Sequence, residues 1–141
     1  MATKKYLGTP YPIVQDPGGY LHTEYGVRKI KADMLSLLLT NPGERVMLPS
    51  YGTPLKKLFF EPNDPIVQAQ AKKMIEASIK AFEPRIRITQ IDISAIKDTD
   101  LNTSDDKSEK ESILYIKILF FDPNDIRTIQ SLVLNLPTAN P

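Results

Sequence analysis

The hydrophobic period of this chain changes at Pro84, and that change constrains its fold more than any other feature. Before Pro84 apolar residues recur at helical spacing, and after it they alternate, so helices come first and strands second. Val27, Ile30, Met34, Leu37 and Leu38 share one face and predict a first helix over Glu24 to Leu39, with Thr23 as its N-cap. Asn41-Pro42-Gly43 ends it, because the residue before a proline is biased out of the helical region and glycine permits the reversal. Thr53-Pro54 has the form of an N-cap with proline at the first helical position, opening a short helix that carries Leu55, Leu58 and Phe59. Asp64-Pro65 repeats that signal. Val67, Ala71, Met74, Ile75, Ser78, Ile79 and Phe82 then form an inward stripe on a second main helix, which ends at Phe82 or Glu83.

Beyond Pro84, Ile86 and Ile88 alternate, and Ile91 and Ile93 follow in the opposite phase, so the slip at Thr89-Gln90 predicts a bulge within one strand. Ile113 to Phe121 is apolar on both faces apart from Lys117, as suits a central strand with helices on one side and another covering surface on the other. Asp122-Pro123-Asn124-Asp125 supplies turn chemistry, and Leu132, Leu134 and Leu136 alternate along a last strand. The fold class is therefore α+β: two main helices plus a short helix packed on a three-stranded antiparallel meander, as one domain over residues 1–141. The prolines and glycines between Tyr6 and Gly19 predict an extended arm over about residues 1–20, and the polar, aperiodic stretch Asp98 to Ser112 predicts an exposed loop.

Composition removes several functions. The charge balance, 18 Lys plus Arg against 17 Asp plus Glu, gives no positive field for neutralising phosphates, so nucleic acid is not an expected partner. Cysteine is absent, which rules out disulfides, thiolate ligands and a cysteine nucleophile. Neither a signal-peptide h-region nor an apolar run approaching the roughly 20 residues of a membrane span is present, so neither secretion by signal peptide nor membrane insertion is expected. His22 is the single histidine, without companions at metal-ligand spacing; no metal, cofactor or catalytic residue is expected, although a triad needing one histidine stays formally open.

Three segments together resemble the family of phage baseplate wedge proteins that initiate the tail sheath, which has counterparts in type VI secretion baseplates. Leu38-Leu39-Thr40-Asn41-Pro42-Gly43-Glu44-Arg45 is similar to the family's helix end followed by Thr-x-x-Gly-Glu-Arg. Pro49-Ser50-Tyr51-Gly52-Thr53-Pro54-Leu55, continuing to Leu58-Phe59-Phe60-Glu61, resembles its Pro-x-aromatic-Gly-x-x-Leu and Phe-Glu. Phe82-Glu83-Pro84-Arg85-Ile86 resembles the Glu-Pro-Arg signature that closes the second helix and opens the sheet, with Phe82 where the secretion-system relatives frequently have tryptophan.

The resemblance implies a structural subunit and no enzyme, placed in the virion tail baseplate after assembly in the host cytoplasm. It implies wedge proteins and the tail sheath protein as partners, tube or hub proteins as further contacts, and six copies per baseplate. The implied fold is similar to a sheath handshake domain, whose sheet accepts strands from neighbouring chains. The implied partner-binding residues are Glu83, Pro84 and Arg85, a paired charged tip that docks on the wedge; the competing role for the pair is to stabilise the corner without touching a partner. Glu44 and Arg45 read as structural, with Arg45 bonding the last carbonyls of the first helix.

Two other function classes compete with this one. A lysozyme-like glycoside hydrolase would use Glu83 with Asp92 or Glu44, but Arg85 beside Glu83 opposes a proton-donating carboxyl, and no tryptophan offers a sugar platform. A generic α+β adaptor module would share the shape without a place in a tail.

Overall fold

The computed structural model describes residues 7–60, 64–97, 112–123 and 125–138. Helix α1 spans Gly26–Leu39, a 3-10 helix spans Leu55–Phe60, and α2 spans Pro65–Phe82. Strands β1 (Arg87–Lys97), β2 (Ser112–Asp122) and β3 (Asp125–Thr138) follow and pair antiparallel in the order β1-β2-β3. This is the α+β meander that the change of period predicts.

The start of α2 follows from local chemistry. Asp64 accepts a hydrogen bond from the Ile66 N–H at 3.3 Å, and Pro65 occupies the first helical position, where its missing donor costs nothing. Helix α1 starts differently from the sequence reading: it begins at Gly26, its N-cap is Tyr25, and no side chain caps it, so Thr23 does not play that part. The backbone pair between Gly8 and Glu24, N–H to carbonyl in both directions at 2.9 and 2.8 Å, fixes the entry instead. The arm read from sequence as extended over about residues 1–20 doubles back within its described part, with Gln15 paired to Leu21. Thr53 also departs from its expected role. Its hydroxyl is buried without a hydrogen-bond partner, while its N–H donates to the Thr40 carbonyl at 2.9 Å.

Alternation within the strands sends one face of the sheet into the core. Ile93, Ile116 and Leu134 lie abreast across the three strands, as do Ile91, Ile118 and Leu132. They pack with Phe120 against Ile30, Met34 and Leu37 of α1 and Ile75 and Ile79 of α2. Each such side chain contributes about 1.5–3 kcal/mol when fully buried, and this layer is the main source of stability. The predicted bulge lies between Ile88 and Gln90 of β1, and it keeps Ile88 and Ile91 on the same face despite their odd spacing. Strand β3 is longer than the sequence suggested, beginning directly after the turn at Asp125. The expected loop falls at 98–111, outside the described residues; Ser112 opens β2.

The opposite face of the sheet carries Tyr115, Lys117, Leu119 and Phe121 of β2, all half-buried, beside exposed Val133 and Ile129 of β3. The helices pack on the other side, with Ile116, Ile118 and Phe120. No strand pairs with the outer edge of β1 or β3 among the described residues, and the backbone bonds of residues 8–24 run to one another and not to either edge.

The linker between α1 and α2 is held by a close approach at Gly52. Its φ is +124°, and a Cβ there would lie 2.4 Å from the Thr40 carbonyl oxygen and 2.9 Å from the Asn41 carbonyl carbon. Gly43 has a positive φ of +95° but open space around it. Gly43→Ala should therefore cost only backbone strain, about 1–3 kcal/mol, whereas Gly52→Ala adds a collision with backbone and should cost about 2 kcal/mol more. Urea unfolding of the two variants measures the difference; equal losses would show that the Thr40–Gly52 contact relaxes freely.

Candidate functional site

Helix α2 ends before Pro84, and the backbone there is a turn at Pro84-Arg85 and not the extended segment read from sequence; the turn brings the two residues flanking Pro84 together. Arg85 grips Glu83 with two parallel bonds, Nε to Oε1 and Nη2 to Oε2, each 2.5 Å. The same Nη2 donates to Asp33 Oδ2 at 2.6 Å, and Lys29 Nζ bonds the other Asp33 oxygen. Four charges from α1, the end of α2 and the start of the sheet thus form one alternating chain: Lys29, Asp33, Arg85, Glu83.

Glu83 is only 3% exposed, so its charge is removed from water and depends on Arg85 for compensation. Arg85 is partly open, with 29% of its side chain accessible, as is Asp33. The guanidinium is held more firmly protonated than an ordinary arginine, first by its hydrogen bonds to Glu83, against the opposing effect of partial burial, and then by those to Asp33. The pairing across Pro84 was legible in the sequence. Asp33 and Lys29 were not: their spacing of four residues marks a helical ion pair, but nothing local says that Arg85, 52 positions later, joins it.

The neighbouring loop is tied to this corner through rings. Phe82 stands edge-on to Tyr51, centroids 5.3 Å apart at 65°, and Arg45 lies over the Tyr51 ring with Cζ 4.7 Å from its centre. Arg45 thus serves Tyr51 and not the helix carbonyls. The Thr40 hydroxyl donates to the Ser36 carbonyl at 2.6 Å at the helix end, and just past it Glu44 accepts from the Asn41 N–H at 2.9 Å and from Lys56 Nζ at 2.6 Å. These bonds hold the Glu44 carboxyl below its usual range, the Lys56 contact foremost.

The corner does not offer the geometry of a glycosidase. Both Glu83 oxygens are engaged by Arg85, and neither is directed at open space where a glycosidic oxygen would sit. Among the described residues no group of His, Asp and Glu could hold a metal ion, and no helix is long and apolar enough to cross a membrane.

Breaking the pair from one side leaves a buried charge. Arg85→Ala should destabilise by about 3–5 kcal/mol, whereas Glu83→Leu with Arg85→Leu removes both charges and should recover most of that loss. Urea melts of the single and double variants test this; a double variant as unstable as Arg85→Ala would show that Glu83 is not an uncompensated charge.

Comparison with known proteins bears on what such a corner belongs to. Residues 24–119 match the family model of the baseplate wedge protein gp25. The gp25 baseplate wedge protein of Enterobacteria phage T4 is 29% identical over 73 residues, which are 52% of this chain and 55% of the T4 protein, so the match spans about half of that relative. Among solved structures, a chain of the anti-feeding prophage baseplate superposes with a TM-score of 0.61 at 21% identity, covering 95% of this chain and 86% of the other. A chain of the post-contraction pyocin R2 baseplate gives 0.52 at 18% identity, covering 90% and 99%. A Geobacter sulfurreducens protein named as a tail lysozyme gives 0.62 at 20% identity, covering 79% and 89%; at that identity the likeness is one of fold alone. With the family model matching from the entry of α1 to the middle of the sheet, and with the Glu83-Pro84-Arg85 corner inside it, the chain belongs to the gp25 family of baseplate wedge proteins, structural components of contractile tails.

Proposed function

We propose that this subunit joins the baseplate wedge to the first ring of tail sheath and templates sheath assembly by accepting a strand at an outer edge of its sheet. The observation that carries this reading is the one-sided sheet. Its helices cover one face, and the outer edges of β1 and β3 each offer a row of N–H and C=O groups with no strand partner among the described residues. Such an edge is a template for a neighbouring chain. In a baseplate the neighbour of suitable chemistry is an extended arm of the sheath protein, and six subunits would present six such edges.

Docking on the wedge proteins is assigned to the Glu83, Pro84 and Arg85 corner. The buried Glu83 fixes the guanidinium in one orientation, and the accessible part of Arg85 with Asp33 then faces outward as a preorganised charged pair. Corner stability and docking separate in the Glu83→Leu with Arg85→Leu variant. It should fold yet lose co-purification with the wedge proteins of the same tail; retained co-purification would make the pair a purely structural element.

Strand addition is tested by proline at the edges. Backbone donors alternate in direction along a strand, so of two adjacent residues one points its N–H outward and tolerates proline. Ile91→Pro and Asp92→Pro on β1, with Leu132→Pro and Val133→Pro on β3, therefore sample both edges. One folded variant should yield baseplates with about tenfold less sheath, scored by electron microscopy, since a lost donor within a continuous ladder costs about 1–2 kcal/mol per subunit. If folded variants at both edges nucleate full-length sheath, strand addition at this sheet is wrong.

A further inference from the structure

The linker between α1 and the 3-10 helix carries at its middle a feature that the fold does not use. Val46 and Met47 are each 91% exposed, adjacent in sequence, and followed by Leu48, which is also exposed. They occupy the two central positions of a turn closed by the Leu48 N–H to the Arg45 carbonyl at 3.2 Å. Central turn positions favour Gly, Pro, Asn, Asp and Ser, for backbone reasons that Val and Met do not share. Scattered single apolar residues on a surface are ordinary; two large ones set side by side at a turn tip, against local preference, are not.

The loop that carries them is built to stay in place. Two more turns flank the tip, closed by Glu44 N–H to the Asn41 carbonyl at 3.1 Å and Tyr51 N–H to the Leu48 carbonyl at 3.0 Å. Gly43 N–H bonds the Pro49 carbonyl at 2.7 Å and closes the neck. Glu44 is bound to Asn41 and Lys56, and Tyr51 is wedged against Phe82, one residue from the buried Glu83. A knob held this way loses little conformational freedom on docking. Its charge is also set: Arg45, laid over Tyr51 at the foot of the knob, has no carboxylate partner among the described residues, and Glu44 is already neutralised by Lys56.

We propose that Val46 and Met47 form a preorganised apolar knob that inserts into an apolar socket with an acidic rim on a wedge protein, the acidic group meeting Arg45. This rests on the wedge-docking reading above and adds a second, apolar anchor to it. The ring contacts from Arg45 through Tyr51 to Phe82 tie the knob to the Arg85 corner, so that one partner can engage both.

The test uses the full chain and purified wedge proteins of the same tail, with affinity measured by interferometry. Val46→Ser with Met47→Ser should bind about thirty-fold or more weakly at an unchanged melting temperature, as expected for loss of a buried hot spot. Arg45→Glu should slow association, an effect that fades at high salt. If the unaltered chain binds and the serine variant binds as tightly, the knob is overturned while wedge docking stands. If the unaltered chain does not bind the wedge proteins, wedge docking fails and this proposal with it. Sedimentation decides a further outcome: a dimer of the unaltered chain that the serine variant converts to monomer would make the knob a contact between copies and overturn the wedge socket.

Discussion

Everything in this molecule depends on a three-stranded sheet having only one face covered by its own helices. A sheet of three strands with one apolar face must bury that face, so α1 and α2 lie across the side that Ile116, Ile118 and Phe120 present, and the core is that single layer. The cost of the arrangement is what remains outside it. A second face with Leu119 and Phe121 on its central strand stays only half-buried, and two long edges run free of strand partners among the described residues. For a protein that works alone these are liabilities. For a member of a baseplate family they are the surfaces to which we assign attachment.

The charged corner belongs to the same construction. Helices and sheet meet where α2 gives way to β1, and there the chain buries Glu83. A buried carboxylate without compensation is unfavourable by several kcal/mol, so Arg85 must fold back upon it. In reaching Glu83, Arg85 also reaches Asp33, and so fastens α1 to the joint. The side-chain chain Lys29–Asp33–Arg85–Glu83 thus holds helix packing and strand entry together, and it leaves 29% of the Arg85 side chain accessible. In the docking role proposed for this corner, stability and recognition need not compete, since one orientation of Arg85 serves both.

What the sequence made legible was what local physics decides. The Asp64-Pro65 start of α2, its end at Phe82, the order of helices and strands, and the bulge beside Gln90 all follow from caps, prolines and hydrophobic period, and they stand in the structure. The motif around Pro84 pointed to the corner and to the pairing of its two charges. Where a long-range contact replaced a local one, the sequence misled. Thr23 has the chemistry of a cap, but the Gly8–Glu24 pair sets the entry to α1. Thr53 has it too, but its hydroxyl is packed away while its N–H reaches Thr40. Asp33 and Lys29 look like an ordinary surface pair on a helix until folding brings Arg85 to them. Arg45 was expected at the helix end, and only the position of Tyr51 shows why it lies elsewhere.

Strand addition makes a statement about individual amides, and hydrogen exchange of this subunit within the baseplate, before and after sheath is added, reads them directly. Alternate amides along one outer strand, β1 or β3, should pass from fast to slow exchange when sheath is present, while the amides of β2, already paired on both sides, stay as they were. If neither outer strand gains protection on baseplates that carry sheath, the edges are not where the sheath is held.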